Sequence, residues 1–258
     1  MTQKLTDIME QASQALADMR YADAEAGCLQ ALALARTESN WRLYRRVVLP
    51  LQEARRGRRM NASDRAIRLG SSDLPTNPDA LIAAVLDTGQ RPDDTQRPGC
   101  LILTYPHTTE HLTALTDAAH ARTLDAEFLF ANNPANAQTW TLTTPGQPAI
   151  TTPLAKPEVP TDRWLNTVPA RHAFIAASEA LGNTAIAAAT APLGSTERID
   201  QLERLVTAVP DHELLHQALI AAADALAQPD TVVPSSAFTP ACPTPPTPPS
   251  LPGDPSET

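Results

Sequence analysis

The chain has 258 residues, of which 42% are hydrophobic and 4% aromatic, with 25 Pro and 9 Gly. That apolar share allows a buried core and argues against disorder throughout, while the scarcity of glycine argues against chemistry that needs several glycine-rich phosphate loops. The net charge of −9 hides an asymmetry, because residues 1–70 carry 12 Lys+Arg against 8 Asp+Glu and the remainder 8 against 21; the acidic majority excludes a nucleic-acid coat over the whole protein and leaves a local basic site open.

Residues 4–19 place Leu5, Ile8, Met9, Ala12, Ala15, Leu16 and Met19 at helical spacing, so one face is apolar and the other wet. A break at Arg20-Tyr21 leads to a second helix, about 22–36, striped by Ala24, Cys28, Ala31, Leu32 and Ala35. Neither stripe can be buried alone, so the two pack as an antiparallel pair with small residues between them. A third helix spans about 40–59, its stripe running from Leu43 and Tyr44 to Ala54, and Pro50 is expected to kink or split it. From Gly70 to Gly99 the clusters SSDLPTNPD and DTGQRPDDTQRPG flank a short apolar piece, which marks a linker.

CLILTY (100–105) reads as a buried strand, followed by a helix at about 109–121 and strands EFLFA (127–131) and TWTLT (139–143). Strand, helix and strand imply a parallel crossover, with the third strand antiparallel to the second. A proline-rich connector follows at 145–162. Helical periodicity returns with Ala173, Phe174, Ala177 and Leu181, then in segments at about 196–208 and 211–227. Ten of the 25 prolines fall in 229–258, a composition for an extended, disordered tail.

MRYADAEAGCLQALALA resembles the second half of a tetratricopeptide repeat, a helix–turn–helix unit: Tyr21 precedes the helix, Ala24 and Cys28 follow at one-turn spacing, and Ala31 is followed by Leu32. The first helix departs from the pattern, with Gln11 and Ala12 where the family has its Leu-Gly pair and Arg36 near its closing proline. VPDHELLHQAL is similar to the proline-led start of a new repeat, with Pro210, His216 and Leu219-Ile220 in the motif positions, and Leu181-Gly182-Asn183 looks like the preceding Leu-Gly step. The resemblance implies helical pairs of a protein-binding kind, but with no contiguous array of three repeats the concave groove such arrays use is expected to be short or missing.

The fold class expected is therefore mainly α with a small α/β insert, repeat-like antiparallel helical pairs at both ends, and a disordered tail. The division expected is 1–69 for the N-terminal helical domain with its arginine-rich third helix, 70–98 for a linker and 99–150 for the α/β unit. A connector at 151–162, a helical region at 163–228 and the tail at 229–258 complete it.

Chemistry-bearing patterns are sparse. His107-Thr-Thr-Glu110-His111 matches the H-x-x-E-H of inverted zinc peptidases, but Pro106 puts His107 at the helix cap and no third ligand follows. His212 and His216, one turn apart, read as cap and surface residues. Cys28, Cys100 and Cys242 form no CxxC, which points to a reducing compartment. Neither a nucleophile elbow nor a phosphate loop is present. No catalytic, metal or cofactor residues are assigned, and no cofactor is expected.

The strongest local anomaly is residues 36–68, with ten arginines against Glu38, Glu53 and Asp64. Guanidinium groups on one helix face plus a flexible Arg-Arg-Gly-Arg-Arg turn suit an acidic protein surface, the chain's own or a partner's, or RNA phosphates; a merely solvated face is the third possibility. The expectation is a non-enzymatic interaction or adaptor protein that meets an acidic protein surface through Arg42, Arg45, Arg46, Arg55, Arg56, Arg58 and Arg59. An RNA- or ribosome-associated factor using 42–68 is the alternative, and a metal enzyme the third. With no apolar leader or span, no membrane partner and a cytoplasmic location are expected.

Overall fold

The computed structural model describes residues 2–87, 98–132, 138–144 and 149–228. Helices α1 (Thr2–Ala17) and α2 (Tyr21–Thr37) form the expected antiparallel pair, burying Leu5, Ile8, Ala12 and Ala15 against Ala24, Cys28, Ala31 and Leu32. Met19 ends α1 in the left-handed region (φ 58°), which lets the Arg20 amide bond the Ala15 carbonyl at 2.8 Å. Ser39 (φ 51°) does the same after α2, and the Asn40 side chain then caps α3 (Trp41–Ser63) by accepting from the Leu43 amide at 3.2 Å. Pro50 lies inside α3 without splitting it. The helix runs unbroken to Ser63, four residues beyond its expected end, because packing on both sides outweighs the lost backbone hydrogen bond.

The expected fold class requires correction. The strands form one six-stranded mixed sheet in the order β5-β4-β3-β2-β1-β6, a central layer and not a small insert. Strands β1 (Ala66–Leu69), β2 (Pro98–Thr104) and β3 (Glu127–Asn132) are parallel, while β4 (Thr139–Thr143), β5 (Thr151–Ala155) and β6 (Trp164–Leu165) each pair antiparallel with their neighbours. The β2–β3 parallel pairing and the antiparallel β3–β4 pairing agree with the sequence reading. β1, β5 and β6 were not foreseen. Arg68 in the middle of β1 disguises it as part of the basic segment, and its guanidinium is housed by the Gly70 carbonyl, Asp73 and the Trp164 ring. Pro153 disguises β5, an outermost strand where a missing amide costs little.

Alternation along β2 explains the layering. Cys100 and Ile102 face one core, Leu101 and Leu103 the other, so both faces are covered and the run reads as continuously apolar. Helices α4 (Pro78–Leu86), inside the expected linker, and α5 (Thr109–Ala121) cover the Leu101 face. The Cys100 face lies under α3 and α6 (Val168–Ala188), with α7 (Thr196–Ala208) and α8 (Glu213–Ala227) beyond. The helical regions expected at opposite ends share this single core: Leu5, Leu32 and Leu51 belong to the same cluster as Leu202, Leu215 and Leu219, and α8 packs on α3. Met1–Gln228 is one compact unit. The expected disordered tail, 229–258, lies outside the described residues. Among the described residues no helix is long and apolar enough to cross a membrane.

Candidate functional site

Helix α3 divides its arginines between interior and surface. Arg55 donates from Nε to Glu25 at 2.7 Å and from Nη1 to the carbonyls of Val206 and Pro210 at 3.2 and 3.3 Å. Arg58 donates to the other Glu25 oxygen at 2.6 Å, to Asp125 at 3.2 Å and to the Leu124 carbonyl at 3.0 Å. Arg59 meets Glu127 at 3.1 Å, the Ser178 hydroxyl and Asp211. These three, expected to face a partner, tie α3 to α2, the sheet and the α7–α8 turn. The Arg-Arg-Gly-Arg-Arg stretch is likewise no flexible turn: it is helical, and Gly57 sits where a Cβ would stand 2.4 Å from Cε1 of Tyr21. Arg45 pairs with Asp224 at the surface. Arg42, Arg46 and Arg56 are exposed and have no ion pair among the described residues.

Burial alone would raise the Glu25 carboxyl, but the Arg55 and Arg58 guanidiniums outweigh it and hold the group below the ordinary glutamate range. Around Arg59 the balance is reversed. Glu127, Asp211 and, at 3.9 Å, Glu179 surround one guanidinium. Burial first, and Glu127 second, push Asp211 up to about 8. Burial also lowers His212 and brings His216 down to about 4. Both imidazoles are buried and not at the surface as expected; His216 Nδ1 donates to the His212 carbonyl at 3.0 Å, and His212 Nε2 lies 3.4 Å from Glu179.

Two of the concavities beside α3 are lined by its exposed arginines Arg46 and Arg56. A groove of about 450 Å³ between α1 and α3 is walled by Leu5 and Met9 on one side and by Leu43, Val47 and Pro50 on the other, with Glu10 and Arg46 its charged residues. Pro50 has no amide proton, so the Arg46 carbonyl lacks its i+4 donor. A cleft of about 460 Å³ lies between α3 and α6, closed at one end by Asp211 and Glu213. Both volumes fall in the range of ligand sites.

In the H-x-x-E-H segment the His107 and His111 rings meet edge to face, centroids 5.5 Å apart, but their nitrogens are taken by other groups. His107 is buried with Nδ1 3.0 Å from the Ser71 hydroxyl and Nε2 3.1 Å from the Pro75 carbonyl. His111 accepts the Thr108 amide at Nδ1 (3.1 Å) and donates from Nε2 to the Thr76 carbonyl (2.7 Å), so each ring has both nitrogens occupied. Glu110 is exposed, its carboxyl lowered mainly by the Thr108 hydroxyl. The pair latches the loops after β1 and β2 together. Among the described residues no three His, Cys, Asp or Glu side chains are placed to share a metal ion.

No family model matches this chain. No curated protein and no solved structure matches it either. Sequence reasoning missed the cleft residues Ser63, Arg171, Glu179 and Asp211, since they come from three separate segments and form no motif along the chain.

Proposed function

We propose that this chain is a non-enzymatic interaction protein that docks a peptide segment in the groove between α1 and α3. The observation that carries this reading is the pairing, in that groove, of apolar walls from two helices with an arginine that has no partner among the described residues. A helical hairpin followed by a third helix also supports the repeat-like resemblance of this region, in which such grooves take extended or helical peptides. Arg46 lines the groove opposite in sign to its single carboxylate Glu10, and exposed Arg42 stands one turn before it just outside the lining, so the occupant is an apolar segment flanked by Asp or Glu. With Arg55, Arg58 and Arg59 held by internal carboxylates, few guanidiniums remain for phosphates, which weighs against RNA.

Selection of random twelve-residue peptides on the immobilised full chain tests this. Enriched peptides should join apolar residues to acidic flanks, bind with nuclease present, and weaken at least tenfold on Met9→Glu or Arg46→Glu. Binders indifferent to both substitutions, or RNA binding that falls steeply with salt, would overturn it.

A further inference from the structure

Gln52, Arg56 and Met60 follow one another at one-turn spacing on the face of α3 that lines the cleft between α3 and α6, and Ile175 of α6 lines it as well. Gln52 is 7% exposed, yet its side chain makes no hydrogen bond among the described residues. Its amide nitrogen and oxygen are not fully enclosed, so they reach the cleft that the residue borders. A carboxamide so deeply buried and left unpaired costs stability that an apolar side chain of the same size would not. The charges of the cleft are otherwise matched. Arg59 faces Glu127, Glu179 and Asp211. Asp211, raised to about 8 mainly by burial, is largely protonated at neutral pH. Arg171 lies 3.4 Å from Asp64, and Glu213 accepts from Gln217 at 2.8 Å. Of the arginines lining the cleft, Arg56 is the one with no carboxylate partner among the described residues.

We propose that this cleft binds a small N-acyl amino acid, its amide against Gln52, its carboxylate on Arg56 and its apolar side chain against Met60 and Ile175. A glutamine amide both donates and accepts, so it can give an N–H to the ligand's amide oxygen and take the ligand's N–H on its own. The guanidinium offers a carboxylate two parallel N–H donors. Residues four apart on a helix hold their Cβ atoms about 5–6 Å from each other, a separation that an amide and a carboxylate joined through one carbon can span. The volume of about 460 Å³ suits a ligand of this size. The groove between α1 and α3 takes no part in this site.

The test titrates three compounds against the isotope-labelled full chain, followed by amide chemical shifts: N-acetylleucine, N-acetylleucinamide, which lacks the carboxylate, and 4-methylpentanoate, which lacks the amide. N-acetylleucine should saturate in the millimolar range usual for ligands of this size, shifting the amides of Gln52, Arg56, Met60 and Ile175. The two truncated compounds should bind at least fivefold more weakly. Arg56→Ala, at an exposed side chain, should weaken N-acetylleucine at least fivefold and leave N-acetylleucinamide unchanged, a split that loss of structure would not produce. Gln52→Met, close in length and volume, should weaken N-acetylleucine at least threefold while raising the urea midpoint of the free protein, because no unpaired amide is then buried. Absence of saturable shifts, equal affinity for 4-methylpentanoate, a lowered midpoint or unchanged affinity in Gln52→Met would overturn the assignment. Tighter binding of an acetylated tetrapeptide ending in leucine would overturn it in favour of a peptide C-terminus.

Discussion

Arg55 and Glu25 meet inside the protein, the guanidinium Nε 2.7 Å from the carboxylate, with 6% and 13% of the two side chains exposed. Removing one partner of such a pair strands the other in a low dielectric. Glu25→Gln should therefore destabilise the protein by about 3 kcal/mol, a fall in Tm of about 6–12 °C for a unit of this size. Arg42→Ala and Arg56→Ala, on exposed cations, should stay within about 0.5 kcal/mol of the parent. Guanidinium denaturation compares them, and similar losses at Glu25 and Arg56 would contradict the division of α3 into interior and surface arginines.

Stability should depend on pH with opposite signs from two buried groups. Asp211, raised from 3.8 to about 8, holds a proton in the folded chain that the unfolded chain releases, so its contribution falls as pH climbs from about 4 to about 8. His216, lowered from 6.5 to about 4, is protonated first in the unfolded chain, so its contribution falls as pH drops from about 6.5 to about 4. Above 6.5 only the Asp211 slope remains, at most about 1.4 kcal/mol per pH unit. Denaturation midpoints should decline between pH 6.5 and 8 in the parent and level off in Asp211→Asn. The same decline in both would exclude Asp211 as its source.

Gly182 on α6 faces His212, where an added Cβ would stand 2.0 Å from Cδ2 of the imidazole. Alanine there adds helix propensity worth about 1 kcal/mol, but the buried ring cannot retreat. Gly182→Ala should lose about 1–3 kcal/mol net, and His212→Ala in the same chain should recover part of that loss. Urea melts of the single and double variants decide the matter; a stabilised Gly182→Ala would show that the ring moves freely.

Pro50→Ala should stabilise α3 by about 1–3 kcal/mol, since it restores an amide to the Arg46 carbonyl. It should also weaken peptides selected on the groove, because that carbonyl and the proline ring both border the site. Thermal melts and peptide titration read the two effects separately. Tighter peptide binding by the variant would remove Pro50 from the docking surface.

The stripes of α1, α2, α7 and α8 were legible because each helix buries one face against a neighbour, so that Leu5, Ile8 and Ala12 on α1, and Ile199, Leu202 and Val206 on α7, recur at helical spacing. CLILT was legible as a strand because both its faces are covered. β1 was not, since the neutralising partners of Arg68 come from Asp73, the Gly70 carbonyl and the Trp164 ring. The arginines on α3 were conspicuous as a group but alike one by one.

By itself, the order of residues determined which faces of the helices are apolar and that 36–68 concentrates positive charge, because both are properties of neighbours along the chain. Only the tertiary structure decided that Arg55, Arg58 and Arg59 point inward while Arg42, Arg46 and Arg56 remain at the surface. Whether a guanidinium is buried depends on carboxylates such as Glu25, Asp125, Glu127 and Asp211, which lie from 30 to over 150 positions away and meet α3 only when the sheet and the last helices close over it.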